Sequence, residues 1–476
     1  MIDASLETPD KVRELQIKLY RKAKNEPEFR FYQLYDKVYR EDVMLRAWEK
    51  SRSKNGAPGV DGERFEDIES KGLTEWLEGL RKELHDKTYR PQPVRRVMIE
   101  KPGGGERPLG IPTIRDNALI TLAPRVAQTA AKLILEPIFE ADLEPNAYGY
   151  RPGRGAKDAI RKVDKLLIQG YTDVVDADLS KYFDTIPHSE LLQCVARRIV
   201  DKHMLHLVKM WLKVPVEERD EKGNKRLTGG KDQDRGTPQG GVVSPPLANL
   251  YMNRMLKGWR QTGREKQFRA HIVNYADDFV ILSRRKAKES LEWTRGVVAR
   301  LGLTLNEQKT SIRNARKERF DFLGYTFGPH ISRKTWQEYL GCSPSKKSVT
   351  KAKRKVSEHL KPQNVTPWEQ VRDRLNQKLK GWQTYFKLGS PSRAFHAVDQ
   401  HVEGRVRHFL RRRHKVQSQG TVQFSAERIY GQYGVLRLQG PLVPPVREST
   451  KKPVGKPDAG NRHVRFDERG WEPGRP

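Results

Sequence analysis

Cysteine is nearly missing from this chain: its 476 residues include only Cys194 and Cys342. Two thiols exclude a disulfide framework in practice and cannot furnish a four-cysteine zinc site. Also lacking is any apolar run long enough to cross a bilayer, which takes about 20 consecutive residues. The opening MIDASLETPD has neither a basic n-region nor an apolar h-region, so no secretory signal is expected and a cytoplasmic location follows. Acidic residues are in short supply, with 60 Asp and Glu against 92 Lys and Arg, for a net charge of +32. Folding does not need that excess, and a chain carrying it works against a polyanion. Hydrophobic residues are 36% of the total, enough at this length for roughly three domains with cores of their own. No internal repeat is present.

Against that background one tetrad stands out. Tyr275-Ala276-Asp277-Asp278 sits inside the apolar run HIVNYADDFVIL, which reads as a β-hairpin with both acids at its turn. Adjacent carboxylates repel each other unless a cation lies between them, and a pair of divalent metal ions is one candidate. A solvated hairpin tip would look the same, because Asp is a favoured turn residue. About 100 residues upstream, VVDADLSKYFDTIPH has strand character from Val174 to Leu179 and delivers a third carboxylate, Asp178, near its end. Three such acids suit nucleotidyl transfer, in which two metals activate a hydroxyl and hold a triphosphate. Between the two motifs, RGTPQGGVVSPPLANLYMN pairs a glycine-rich loop with a helix start: Ser244 as N-cap, Pro245 in the first turn, then Leu247, Tyr251 and Met255 at helical spacing. Upstream of these, VRRVMIEKPGGGERPLGIPTIRDN predicts a hairpin with Lys101 and Arg107 on its two arms. No Gly-Lys-Ser/Thr follows the glycines, so this is not a P-loop.

DADLSKYFD, PQGG-x-x-SP-x-x-AN and YADD, in that order, resemble motifs A, B and C of group II intron reverse transcriptases. The resemblance covers roughly residues 30 to 440. It implies an α+β right-hand polymerase of fingers and palm with an α-helical thumb or maturase domain. Asp178 and Asp277 would be the principal ligands of two Mg²⁺ ions and Asp278 the supporting acid. Phe183 falls where such enzymes keep an aromatic gate under the sugar 2′ position, and Gln239 would contact the incoming nucleotide. Lys101 and Arg107, beside the fingers motif RPLGIPTIRD, would hold the triphosphate. LGLTLNEQKTSI (301–312), which alternates like a strand, resembles motif D, with Lys309 near the leaving pyrophosphate. FDFLGYTF, expected as one short aromatic strand with a central glycine, resembles motif E, so that Phe322, Leu323, Gly324 and Tyr325 grip the primer. Gly240 and Gly241 would let backbone approach a base pair, and Arg151 in AYGYRPGRGAKDAI would grip the template. NGAPGVDG (55–62) matches an N-terminal block that retroviral polymerases lack.

The charge is concentrated near the end. Residues 346–416 hold 19 basic against 5 acidic side chains. DRLNQKLKGWQTYF and AFHAVDQHVEGRVRHFLRRRHK there predict amphipathic helices, with Leu375, Leu379, Trp382 and Phe386 on one and Val398, Val402, Val406 and Phe409 on the other. They resemble the maturase domain that grips intron RNA, through Arg411, Arg412, Arg413 and Lys415. Expected boundaries are an N-terminal extension (1–92), fingers (93–170), palm (171–335), thumb (336–416) and a basic C-terminal extension (417–476) disordered after about residue 441, where seven prolines fall in 36 residues. The absence of paired cysteines near the end implies a type without the DNA endonuclease. The expected partners are a parental group II intron RNA, an RNA template, a DNA primer or target, and dNTPs, with monomer or homodimer left open. A domesticated relative working in defence or repair would share these motifs. So would a splicing factor without polymerase activity, although the presence of all three acids argues against it.

Overall fold

The computed structural model describes residues 10–53, 64–100, 106–111, 124–219, 224–237, 240–332 and 335–439. Side chains of residues 99–111, 124 and 219 fall outside the description, as do the N-terminal block at 55–62 and the tail beyond 439. Among the described residues no helix is long and apolar enough to cross a membrane.

Among the described residues three sheets organise the fold. The first pairs Val94–Glu100 with Glu106–Ile111 antiparallel, as the hairpin expectation required, and continues through Val216–Arg219 and Lys225–Thr228. The second is the palm: Ala270–Tyr275, Asp278–Ser283, Asp173–Asp178 and Ser311–Asn314, in that spatial order and antiparallel throughout. Both faces of this sheet are covered, so Val174, Val175, Val280, Ile281 and Leu282 are fully buried and the strands read as continuous apolar runs. One face joins a core built with the N-terminal helices, the helix Pro124–Asp142 and the long helix Ser244–Gln261. The other joins a second core shared with the helix Ala156–Ile168 and the C-terminal helices.

The third sheet, Phe320–Phe322, Tyr325–Ile331 and Glu338–Pro344, links palm to thumb. Thumb helices Lys346–His359, Trp368–Tyr385 and Ser392–Arg413 follow. Val398, Val402, Val406 and Phe409 point inward at the expected helical spacing, leaving the basic residues outside. The next segment packs as well: Ile429, Val435 and Leu438 are buried in the same core, and the buried Asp399 carboxylate accepts the Leu438 and Gln439 N–H groups at 2.9 and 3.2 Å.

Three local expectations change. Ser244 lies inside the first helical turn, since the Leu247 N–H already donates to Val243 O. FDFLGYTF is a hairpin, not one strand: Phe322 pairs with Tyr325, and Leu323 (φ 49°) and Gly324 (φ 79°) form its two-residue turn. Residues 301–310 are a loop whose alternation buries Leu303 and Leu305, with a single bridge from Leu305 to Leu179, and the strand begins only at Ser311.

Candidate active site

Strand register assembles the acids. Asp178 ends its strand directly opposite Asp278, which places both side chains on the same sheet face, and Tyr275 pairs with Asp278 so that Ala276 and Asp277 make the hairpin turn. Asp278 is exposed, while Asp277 and Asp178 are half-buried. Ala276 sits at φ 58°, a left-handed conformation that costs a non-glycine residue about 1 kcal/mol or more, so the turn needs outside support.

That support comes from three segments. Asn274, only 1% exposed, donates its side-chain amide to Ala276 O at 2.8 Å. The Asn274 backbone bonds to Asn146 O and Tyr148 N at 3.0 and 2.9 Å. Gly149 then presses against the turn so closely that a Cβ would lie 2.5 Å from Ala276 N. Its carbonyl accepts a 2.6 Å bond from the buried Asn249 amide, on the long helix. The same helix holds Tyr182, whose hydroxyl donates to Ala248 O at 2.6 Å. Asn249, Asn274 and Gly149 had no assigned role in the sequence, yet two of them left a signal. An asparagine amid Leu, Tyr and Met on a helix, or amid Ile and Val on a strand, has to find buried partners.

Lys309 joins the acids across a sequence separation of 131 residues, its Nζ 3.2 Å from Asp178 Oδ2. The Asn306 N–H fixes this loop by donating to Asp178 O at 2.8 Å. Behind the site, Asp176 shares the strand face of Asp178. Burial pushes its carboxyl up to about 6 against the opposing pull of Arg313. Among the described residues no three His, Cys, Asp or Glu side chains converge as a closed metal cage. The donor set nevertheless suits a hard cation: carboxylate oxygens on abutting strand ends, open to solvent, one of them already drawing in the Lys309 ammonium.

Phe183 is buried on the short helix Tyr182–Thr185, its carbonyl accepting the Thr237 N–H at 2.7 Å. The glycine-rich loop therefore packs on the segment that carries the expected gate. Gly240 adopts φ 103°, and the Val242 N–H is tethered at 2.8 Å to Oε1 of the buried Gln128. Lys101 and Gln239 lie outside the described residues. Arg107 pairs with Ile99 in the fingers hairpin, but its side chain is not described.

Two expectations fail on burial. Arg151 does not reach for a template: its side chain is 4% exposed, bidentate to Glu140 at 2.6–3.1 Å, and bonded to the carbonyls of Glu144 and Ala147. With its donors satisfied inside the protein, it braces the loop that reaches Gly149. Phe322 and Tyr325 are 4% and 0% exposed, locked in the second core, where Tyr325 donates its hydroxyl to Tyr385 O. Their rings cannot touch a primer and instead position the Leu323–Gly324 turn, whose carbonyls accept from Tyr385 and Ser348 hydroxyls. On the thumb, Arg412, Arg413 and Lys415 are exposed and Arg411 is half-buried. Arg413 donates to Thr366 O at 2.7 Å.

Residues 99–327 match the family model for reverse transcriptase (RNA-dependent DNA polymerase), and residues 349–424 match that for the group II intron maturase-specific domain. Protein YkfC of Escherichia coli K12 is 34% identical over 351 residues, spanning 66% of this chain and 87% of that protein. Group II intron-encoded protein LtrA of Lactococcus lactis subsp. cremoris is 33% identical over 230 residues, 48% of this chain and 35% of that protein. An uncharacterized 91 kDa protein in the cob intron of Schizosaccharomyces pombe is 25% identical over 363 residues, and the match spans 42% of its length.

Proposed function

Because the chain belongs to the group II intron-encoded reverse transcriptases and maturases, we propose that it binds its parental intron RNA, assists the splicing of that RNA and copies it into DNA at a new site, working in the cytoplasm. The carrying observation is the register that sets Asp178 opposite Asp278, with Asp277 in the adjoining turn. Asp178 and Asp277 would hold two Mg²⁺ ions, with Asp278 in support. When bound, such ions make a 3′-hydroxyl a better nucleophile and neutralise charge on a triphosphate.

The other roles belong to the chain itself. Phe183 presents a buried edge beneath the sugar and excludes a 2′-hydroxyl. Lys101 and Arg107 hold the triphosphate, and Gln239 meets the incoming nucleotide. Gly240 and Gly241 leave the template base pair close to backbone. Lys309 moves from Asp178 to the departing pyrophosphate and delivers a proton to it. The Leu323–Gly324 turn steadies the primer, and Arg411, Arg412, Arg413 and Lys415 meet intron phosphates.

Primer extension on an RNA template with dNTPs and Mg²⁺ tests this reading. Full-length DNA from the wild type and none from Asp277→Asn/Asp278→Asn is the expected result. No product from either protein, with RNA binding retained, would leave a splicing factor without polymerase activity.

A further inference from the structure

The sheet joining palm to thumb has two unlike faces. Tyr325, Phe327 and Cys342 enter the second core from one. On the other, Gly328 pairs with Gly341 and His330 with Tyr339. A Cβ on Gly341 would lie 2.8 Å from Tyr339 Cε2 and 3.5 Å from His330 Cδ2, so both rings lean back over the bare strand. Their centroids are 5.7 Å apart, with the planes inclined by 31°. The Tyr339 hydroxyl is fixed by Ser390 Oγ at 2.6 Å. Arg319 crosses Gly328 alongside and donates Nη2 to Pro329 O at 3.0 Å. At the hairpin tip Trp336 is 81% exposed. Its φ of 58° is rare for a bulky residue, and its N–H is tied to Ser332 O at 2.9 Å.

We propose that this face is a stacking platform for single-stranded RNA, a contact separate from the polymerase channel; it rests on the reading of the chain as an RNA-handling protein. Rings offering flat faces beside arginines match unstacked bases joined by phosphates. His330 supplies a π face and not a second charge, since burial, with Arg319 and Arg393 adding, lowers its pKa. Charge also selects the partner: a second copy of a chain carrying +32 would be repelled, whereas a polyanion is drawn in. The platform stands at the far end of a seven-residue strand from the Leu323–Gly324 turn, roughly 20 Å away at about 3.3 Å per residue.

The test saturates the full-length protein with a non-extendable template–primer duplex and then titrates a fluorescein-labelled 12-nucleotide oligouridylate. Trp336→Ala/Tyr339→Ala should bind this probe about 30-fold more weakly, given the usual size of base–aromatic stacking. Trp336→Ala alone, which touches no core, should show part of that loss. Arg319→Gln should flatten the salt dependence. Primer extension on a short template should match wild type in all three, so a failed platform is distinguishable from a failed polymerase reading. Unchanged probe affinity in the double variant would overturn the proposal. So would a change of sedimentation from dimer to monomer, which would make the face a contact between copies.

Discussion

Gly149→Ala is the most discriminating substitution available near the acids. The added methyl carbon would sit 2.5 Å from Ala276 N, 3.0 Å from Tyr275 C and 3.2 Å from Ala276 Cβ. Two of these are backbone atoms that cannot rotate away. Ordinary contact begins near 3.4 Å, so the Ala276–Asp277 turn or the Gly149 strap must move by about 0.9 Å. Overpacking of this kind costs about 1–3 kcal/mol of stability, which a core of this size can absorb. Misplacing a reacting group by about 1 Å costs on the order of 10²-fold in rate. We expect single-turnover primer extension to slow by about that factor, with RNA affinity unchanged because the basic thumb surface is carried by the other core. Gly155→Ala is the control, since nothing lies within 4 Å of its added Cβ. A Gly149→Ala protein that melts normally and extends primers within twofold of wild type would refute the idea that this strap positions the Ala276–Asp277 turn for activity. Asn249→Ala, which removes the 2.6 Å bond to Gly149 O, should move the rate the same way by a smaller amount.

Arg151→Met should lower thermal stability by about 3 kcal/mol, because it strands the Glu140 carboxylate; a loss of template affinity at unchanged stability would return Arg151 to the nucleic acid. Asp176→Asn should change the pH dependence of unfolding. A folded-state pKa of about 6, above the ordinary carboxylate value, means that Asp176's own contribution to stability is greatest at low pH and falls as pH rises from about 4 to 6. The variant should lack that fall, and parallel melting curves from pH 4 to 7 would show that Asp176 is not desolvated. Phe183→Ala should raise the ratio of ribonucleotide to deoxynucleotide incorporation, a ratio that a general loss of stability leaves alone; an unchanged ratio removes the ring from the gate. Alanine at Arg411, Arg412 and Arg413 together should reduce the salt slope of intron RNA binding by about 1–2, less than three full phosphate contacts, since Arg413 is partly engaged by Thr366.

Much of the site is legible in the amino-acid sequence. Alternation and turn residues are local signals, so the Ala270–Ser283 hairpin, the strand ending at Asp178 and the thumb helices are where periodicity places them. Local signals also misled. The alternation of residues 301–310 reflects leucines packing under a loop, and FDFLGYTF turns over at its glycine because two consecutive positive-φ residues close a hairpin.

The chemistry present was readable from the chain alone: three carboxylates, an aromatic and a lysine within the stretch that matches the reverse transcriptase family, on a chain of net charge +32. What those residues face depends on how distant segments pack. Asp178 meets Asp278 because of strand register, and Lys309 meets Asp178 across 131 residues because a loop folds back under the palm. Arg151 turns inward because Glu140 and two carbonyls are nearer than any solvent. The physical reason is common to all three. Backbone conformation responds to neighbours a few residues away, whereas the direction a long polar side chain takes is set by which partners remain unsatisfied once distant segments have packed.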